Sequence, residues 1–348
     1  MKINYLKLLD LKGIKKLMLL PFSLLWDFLH HLRRILYEYG FLQREYFRVP
    51  IISVGNLSFG GTGKTPVILW LIEYLSELNQ KVVILSRGFK GELENSVGII
   101  RGGQRFRSNP YEFGDEAILI AKRIKQGALI VGKKRSENLK NYFHEVQPDV
   151  VLLDDGFQHL KLNRSSNIVL FDATMPLEHY YTAPLGYLRE GMHTLKYADM
   201  IIISRVNQVG KVELKNMIKH ISQFKSRDTP LILIQYILTG LKDCMDQQIF
   251  KPEELKGKKI IAFSAIGSPK SFHDSLKEYG CIITHEVARE DHHYFNLEEI
   301  GKISNLARKE NAIVVVTEKD MVKIKRLTQD PIFLYASIQI EFLNGIEV

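Results

Sequence analysis

A glycine-rich segment, Val54-Gly-Asn-Leu-Ser-Phe-Gly-Gly-Thr-Gly-Lys-Thr-Pro66, constrains this chain more than any other stretch. It follows a strand-like run, Val49 to Val54, and precedes a helical pattern, Thr65 to Leu78. Without a Cβ at positions 60, 61 and 63, successive backbone N–H groups can converge on one point, and the following helix aims the positive end of its dipole there. Strand, turn and helix in this order form the phosphate corner of an α/β fold. The pattern Gly-x-x-x-x-Gly-Lys-Ser/Thr is met except at its first position, where Ser58 stands. Ser58, Phe59, Gly60, Gly61, Thr62, Gly63, Lys64 and Thr65 are therefore the candidate nucleotide-binding set. Lys64 is directed at the β and γ phosphates, and the Thr65 hydroxyl at Mg²⁺.

The rest of the chain agrees with an α/β reading. Short apolar runs alternate with helical patterns: Lys81 to Leu85 as strand, Asp115 to Lys125 as helix, Ala128 to Val131 as strand, Arg135 to Val146 as helix. Strands follow at Val150 to Leu153, Ile168 to Phe171, Met200 to Ile203 and Leu231 to Tyr236. Such alternation predicts a largely parallel sheet with helices on both faces and ligands at the carboxyl ends of the strands. A polar stretch, 240–257, reads as a linker between a core (49–239) and a smaller α/β lobe (258–348) with strands at Lys259 to Phe263, Cys281 to Ile283, Ala312 to Thr317 and Ile332 to Tyr335.

Residues 1–48 read differently. The apolar run Leu17 to Leu29 is shorter than the roughly 20 residues that cross a bilayer and contains Asp27. Lys12, Lys15 and Lys16 precede it, Arg33 and Arg34 follow, and Trp26, Tyr37 and Tyr39 lie nearby, the make-up of a helix at the headgroup boundary. No cleavage site for a signal peptide follows. The formal net charge of +9 favours an anionic partner, here a membrane surface or a phosphorylated substrate. Basic residues form no aromatic-interleaved stripe, so nucleic acid is not expected. Cys244 and Cys281 have neither disulfide nor metal-ligand spacing, and a reducing compartment follows.

Two further signals carry chemistry. Val150-Val-Leu-Leu-Asp-Asp-Gly-Phe-Gln-His159 is an apolar strand ending in acid, which puts Asp154 and Asp155 where carboxylates hold Mg²⁺ beside a phosphate loop. Asp115, opening a helix, and the string Asp291-His292-His293 can supply a carboxylate and an imidazole to one cleft, where a base takes a hydroxyl proton. Arg87, Arg135 and Arg189 are anion-binding candidates. His159 reads as structural.

These strings, with Ser86-Arg87-Gly88-Phe89, Pro184-Leu-Gly-Tyr-Leu-Arg-Glu190 and Thr317-Glu-Lys-Asp320, stand in the order seen in tetraacyldisaccharide 4'-kinases, and the chain resembles that family over nearly its whole length. The resemblance implies ATP- and Mg²⁺-dependent phosphorylation of the 4'-hydroxyl of an acylated disaccharide 1-phosphate in lipid A biosynthesis, at the cytoplasmic face of the bacterial inner membrane. The enzyme is then peripheral or shallowly anchored through a membrane-associated helix, and no obligate protein partner is implied. It also implies Asp115 with His292 as the base system, joined by lobe closure, Asp154, Asp155 and Glu190 near the metal, and Arg135 and Arg189 near the phosphates. Three other readings compete. A cell-wall ligase shares Gly-Thr-x-Gly-Lys-Thr, and a GTPase or metallochaperone would need Asn-Lys-x-Asp for guanine, which Thr317 to Asp320 matches only superficially. A metal phosphoesterase, echoed by Asp291-His292-His293, lacks its further motifs.

Overall fold

The computed structural model of the protein describes residues 14–103 and 109–343. Among these, thirteen strands join in one sheet. In chain order the elements are α1 (Ile14–Glu38), β1 (Ile51–Asn56), α2 (Lys64–Glu77), β2 (Val82–Ser86), β3 (Gly98–Arg101), α3 (Asp115–Ala121), β4 (Gly127–Val131), α4 (Arg135–Val146), β5 (Val150–Asp154), β6 (Ser166–Asp172), β7 (Met200–Ser204), α5 (Lys211–Ser222) and β8 (Leu231–Lys242). There follow β9 (Gln248–Phe250), β10 (Lys259–Ser264), α6 (Pro269–Glu278), β11 (Ile282–Ala288), α7 (Leu297–Glu310), β12 (Ile313–Thr317), α8 (Glu318–Ile324) and β13 (Phe333–Leu343).

Across the sheet the order is β11-β10-β12-β13-β8-β7-β6-β1-β5-β2-β4-β3, with β9 against β8. Most pairs are parallel, and β13–β8, β3–β4 and β8–β9 are antiparallel. Strands covered on both faces have to be apolar throughout. Accordingly Val82, Val83, Ile84 and Leu85 of β2 and Val151, Leu152 and Leu153 of β5 are all 1% exposed or less. Each such side chain contributes about 1.5–3 kcal/mol by leaving water. This rigid centre holds the tips of β1, β2 and β5 in register.

The structure extends and corrects the strand expectations. β8 runs on to Lys242 through residues read as linker, because β13 supplies a partner about a hundred residues away: Thr239 Oγ1 donates to Ser337 O at 3.1 Å. Gly240, a loop signal by composition, lies at φ 140° beside a register shift, and a Cβ there would meet Phe250 O at 2.4 Å. Strands β3 and β9 were not legible in the pattern. α3 ends four residues before the expected Lys125, in a tight turn that carries Arg123 N–H to Ile120 O at 3.0 Å.

α1 is inverted relative to an ordinary surface helix. Ser23, Asp27, His30 and Arg34, spaced to share one face, turn inward. Ser23 Oγ lies 2.7 Å from Thr182 Oγ1, Asp27 Oδ1 accepts from the Gly191 backbone at 2.8 Å, and Arg34 Nε donates to Glu190 Oε2 at 2.6 Å. The opposite side exposes Met18, Phe22, Leu24, Leu25, Phe28 and Leu29, each more than half exposed. Among the described residues no helix is long and apolar enough to cross a membrane. Lys12 lies outside the described residues, as do the side chains of Lys15 and Lys16.

Candidate active site

A cleft of about 1060 Å³ is lined by the glycine-rich loop, by the tips of β2 and β5, by the start of α3, and by residues from β12, β13 and the 291–292 turn. How the loop is held explains which way its amides face. The carbonyls of Gly61, Thr62 and Gly63 are each engaged from outside, by Arg205 Nη1 at 3.3 Å, Ser204 Oγ at 3.1 Å and Tyr236 Oη at 3.1 Å. Arg205 is itself ion-paired with Asp172 at the end of β6. With those carbonyls turned back, the N–H groups are free to point at the cleft and the start of α2. Gly63 caps α2 at φ 79°, and a Cβ there would lie 2.0 Å from Tyr236 Oη, so this position admits only glycine. Pro66 is tolerated because it falls in the first helical turn, where N–H groups have no intrahelical partner.

Ser58 and Phe59 do not join the cradle. Ser58 is buried in an antiparallel bridge with Leu188, and Phe59 N–H donates to Tyr187 O at 2.8 Å. An extended backbone at position 58 needs no glycine, which explains the departure from the strict motif. The amides from Gly60 to Thr65 remain.

Around the loop, charges are arranged asymmetrically. Lys64 Nζ lies 3.4 Å from Asp155 Oδ1, and Arg189 Nη1 donates to Asp155 Oδ2 at 2.7 Å. Burial opposes ionisation of Asp155, yet Lys64, Arg189 and Arg135 hold its carboxyl well below the usual carboxylate range. Asp154 is the opposite case. Burial, with the charges of Glu116 and Asp155, pushes its carboxyl up to about 6, although Lys64 and a 2.9 Å hydrogen bond from Ser86 Oγ act the other way. Burial likewise lowers the Arg135 guanidinium, and its Nε is buried with no hydrogen-bond partner. Asp154, with no cation among the described residues bonded to it, beside an arginine with an unused donor fits a divalent cation and a phosphate. Asp155 Oδ1 also lacks a hydrogen-bond partner. Among the described residues no three His, Cys, Asp or Glu side chains form a ready-made metal cage. Mg²⁺ does not require one, since it takes one or two carboxylates together with substrate phosphates.

Across the cleft, His292 Nδ1 lies 3.0 Å from Asp115 Oδ1 and 3.2 Å from Oδ2, although the two residues are 177 apart in the chain. The contact is already made in this conformation. His292 is held in the left-handed region at φ 63°, with Phe89 edge-on to its ring at 5.3 Å. Lys319, at the start of α8, completes the arrangement. Its Nζ lies 3.0 Å from Glu116 Oε1, 3.2 Å from Asp291 Oδ1 and 3.3 Å from His292 Nε2. An ammonium has three N–H donors and no acceptor, so Nε2 must accept, and the proton on Nδ1 is donated to Asp115. Burial works against ionisation of Asp115, but the His292 hydrogen bond and the Lys319 and Lys323 charges keep it well below the usual range. Lys319 is in turn held well above its ordinary value: burial is outweighed by Glu116, Asp115 and Asp291.

Besides Ser58, one more expected site residue is not brought to the cleft. Glu190 is 1% exposed and binds Arg34 and His30 of α1. Arg189 and Glu190 are neighbours facing opposite ways, the first into the cleft and the second under the helix. Sequence reasoning missed Lys319, Tyr236 and Arg205, because each acts on a segment distant in the chain. The Thr317-Glu-Lys-Asp320 string was the available signal for Lys319. Its Thr317 and Asp320 cap α8, with Thr317 Oγ1 donating to Asp320 Oδ2 at 2.7 Å.

Residues 15–347 match the family model described as tetraacyldisaccharide-1-P 4'-kinase. The chain belongs to this family. It is therefore a phosphotransferase of the lipid A 4'-kinase type. The tetraacyldisaccharide 4'-kinase of Halothermothrix orenii is 32% identical over 314 residues, 87% of this chain and 81% of that one. That of Desulfotalea psychrophila is 34% identical over 305 residues, 87% and 86% respectively. Among solved structures, the "apo" form of LpxK from Aquifex aeolicus in complex with ATP superposes with a TM-score of 0.74 at 27% identity, covering 94% of this chain and 95% of that one. Membership in the 4'-kinase family agrees with the α/β expectation for the sheet and with the kinase reading, and it displaces the ligase, GTPase and phosphoesterase alternatives.

Proposed function

We propose that this chain transfers the γ-phosphoryl group of ATP to the 4'-hydroxyl of a tetraacyldisaccharide 1-phosphate, with Asp115 as the group that takes the hydroxyl proton. The observation that carries this reading is the Asp115–His292 contact inside the cleft that holds the glycine-rich loop. The amides of Gly60 to Thr65 and Lys64 receive the triphosphate, while Arg135 and Arg189 oppose charge on the transferring group. Lys64 and Arg189 exchange Asp155 for phosphate oxygens as the nucleotide enters. Asp154, Asp155 and Thr65 would hold Mg²⁺, which when bound neutralises phosphate charge. A sugar hydroxyl need not be ionised beforehand, because the transition state is largely dissociative; alignment and late proton removal suffice. His292, fixed through Nε2 by Lys319, orients the Asp115 carboxylate for that transfer.

For the acceptor's location, the exposed apolar side of α1 supports peripheral association with a membrane, with the acyl chains presented from the bilayer. The decisive experiment incubates the protein in detergent with γ-labelled ATP, Mg²⁺ and the disaccharide 1-phosphate. Label on the 4'-oxygen is the expected result. Label only in inorganic phosphate, with acceptor saturating, refutes the reading.

A further inference from the structure

Away from the cleft, a second cavity of about 220 Å³ opens beside the last turn of α1. Arg34, Arg44, Arg164 and Lys196 line it, against two acids, Glu38 and Asp199. Both acids are engaged: Glu38 Oε2 accepts from Tyr197 Oη at 2.9 Å, and Asp199 Oδ2 from the Asn167 backbone at 2.7 Å. Arg34 is matched by Glu190, whereas Arg164 Nη1 donates only to the carbonyls of Gly156 and Phe157, at 3.0 and 2.9 Å. Arg44 Nε is buried with no hydrogen-bond partner. Burial and the charges of Arg34 and Arg44 pull the Arg164 guanidinium down to about 10, so the cations repel one another in a partly dry space. An anion with several acceptor oxygens relieves that repulsion and meets the idle donors.

The place of the cavity decides which anion. Asn167, on its wall, is the second residue of β6, whereas Asp172 ends β6 beneath the glycine-rich loop, roughly 16 Å away at about 3.3 Å per residue. The cavity is thus separate from the nucleotide cleft. Next to its wall, just past the end of α1, the chain exposes Tyr39, Phe41 and Tyr46, each more than 70% exposed. This segment is tied down, because Glu45 N–H donates to Lys161 O at 2.7 Å and Asn163 N–H to Glu45 O at 2.9 Å. Cations set behind exposed aromatic rings match the headgroup layer of a bilayer, with phosphate at the depth of the rings.

We propose that this cavity binds the phosphate of an anionic phospholipid headgroup and seats the end of α1 on a charged membrane. The proposal rests on the reading of α1 as a membrane-lying helix. Its test is co-sedimentation of the full chain with phosphatidylcholine vesicles, with and without phosphatidylglycerol. Four proteins are compared: wild type, Arg44→Glu/Lys196→Glu, the remote control Lys302→Glu/Lys309→Glu, and Phe22→Asp/Phe28→Asp on the exposed side of α1, all with Tm within the wild-type range. Wild type should bind more tightly when phosphatidylglycerol is present. At about fivefold per cation removed, and more for a reversed charge, the cavity pair should lose at least roughly 30-fold of that gain, and the control pair far less. Equal loss in the control pair, or indifference of wild type to phosphatidylglycerol, overturns the proposal. So does saturable binding of inorganic phosphate by wild type but not by the cavity pair when vesicles make no difference, since the site would then serve a free phosphate. The Phe22/Phe28 variant should fail on both vesicle types. If it binds like wild type while the cavity pair still loses the phosphatidylglycerol gain, the helix reading fails and the headgroup site stands.

Discussion

Asp115→Asn tests the chemistry most directly, because it keeps shape and hydrogen-bonding capacity while removing the charge and the basic lone pair. A positioned base contributes about 10²–10⁴-fold, so kcat should fall by that factor, equivalent to about 2.7–5.4 kcal/mol. The fold should tolerate the change. Lys323, 3.5 Å from Asp115 Oδ2, keeps Asp320 Oδ1 at 3.0 Å and His293 O at 3.0 Å, so no buried cation is left unpaired. A loss of roughly 1–3 kcal/mol of stability is expected, the range for one charged hydrogen-bonded group. ATP affinity should stay within about threefold, as the phosphate loop is untouched. The assay is initial-rate phosphoryl transfer with saturating acceptor, with nucleotide binding measured separately by calorimetry. Asp115→Asn combined with His292→Gln should cost little more than Asp115→Asn alone, because the two act as a unit. Turnover within tenfold of wild type, or multiplicative losses in the double variant, would refute the reasoning.

Replacing Lys319 by Met should lower kcat by about 10–100-fold with little effect on ATP binding, and Arg should recover part of it; histidine ¹⁵N NMR should show the Nε2 environment of His292 altered in the Met variant. Glu190→Gln leaves Arg34 buried with its charge unmatched and should destabilise the fold by about 3–5 kcal/mol in urea titrations, without altering the Mg²⁺ dependence of turnover. Burial, together with Arg135, Arg164, Arg33 and Lys161, lowers His159 to about 3. The unfolded state therefore binds more protons below the ordinary value near 6.5, and stability falls as pH drops from there towards 3. Between pH 7.5 and 5.5 the loss from this group is about 1.4 kcal/mol, and His159→Gln should flatten that part of the urea-measured profile.

What could be read in advance was local. The glycine-rich loop and Asp154-Asp155 sit within single strand-to-turn units, where spacing along the chain is spacing in space. Asp115 and His292 were each weak alone; chemistry suggested a carboxylate and an imidazole in one cleft, the family resemblance named them as a base system, and the sheet brings them to 3.0 Å. Lys319 was out of reach because its meaning depends on Glu116, 203 residues away. Glu190, placed near the metal by the family resemblance, lies instead under α1, because a motif position does not say which side of the backbone a carboxylate takes. The length of β8 was obscured because Thr239 and Gly240 look like turn residues until β13 pairs with them.

The opposed directions of Arg189 and Glu190 have a mechanical consequence. One side chain grips the acid that faces the phosphate loop, the next grips α1, and Trp26 Nε1 adds a 2.9 Å bond to the carbonyl joining them. A single peptide unit thus joins the helix to the nucleotide cleft: a shift of α1 against Glu190 and Trp26 would bear on the same backbone that carries the guanidinium poised over the cleft.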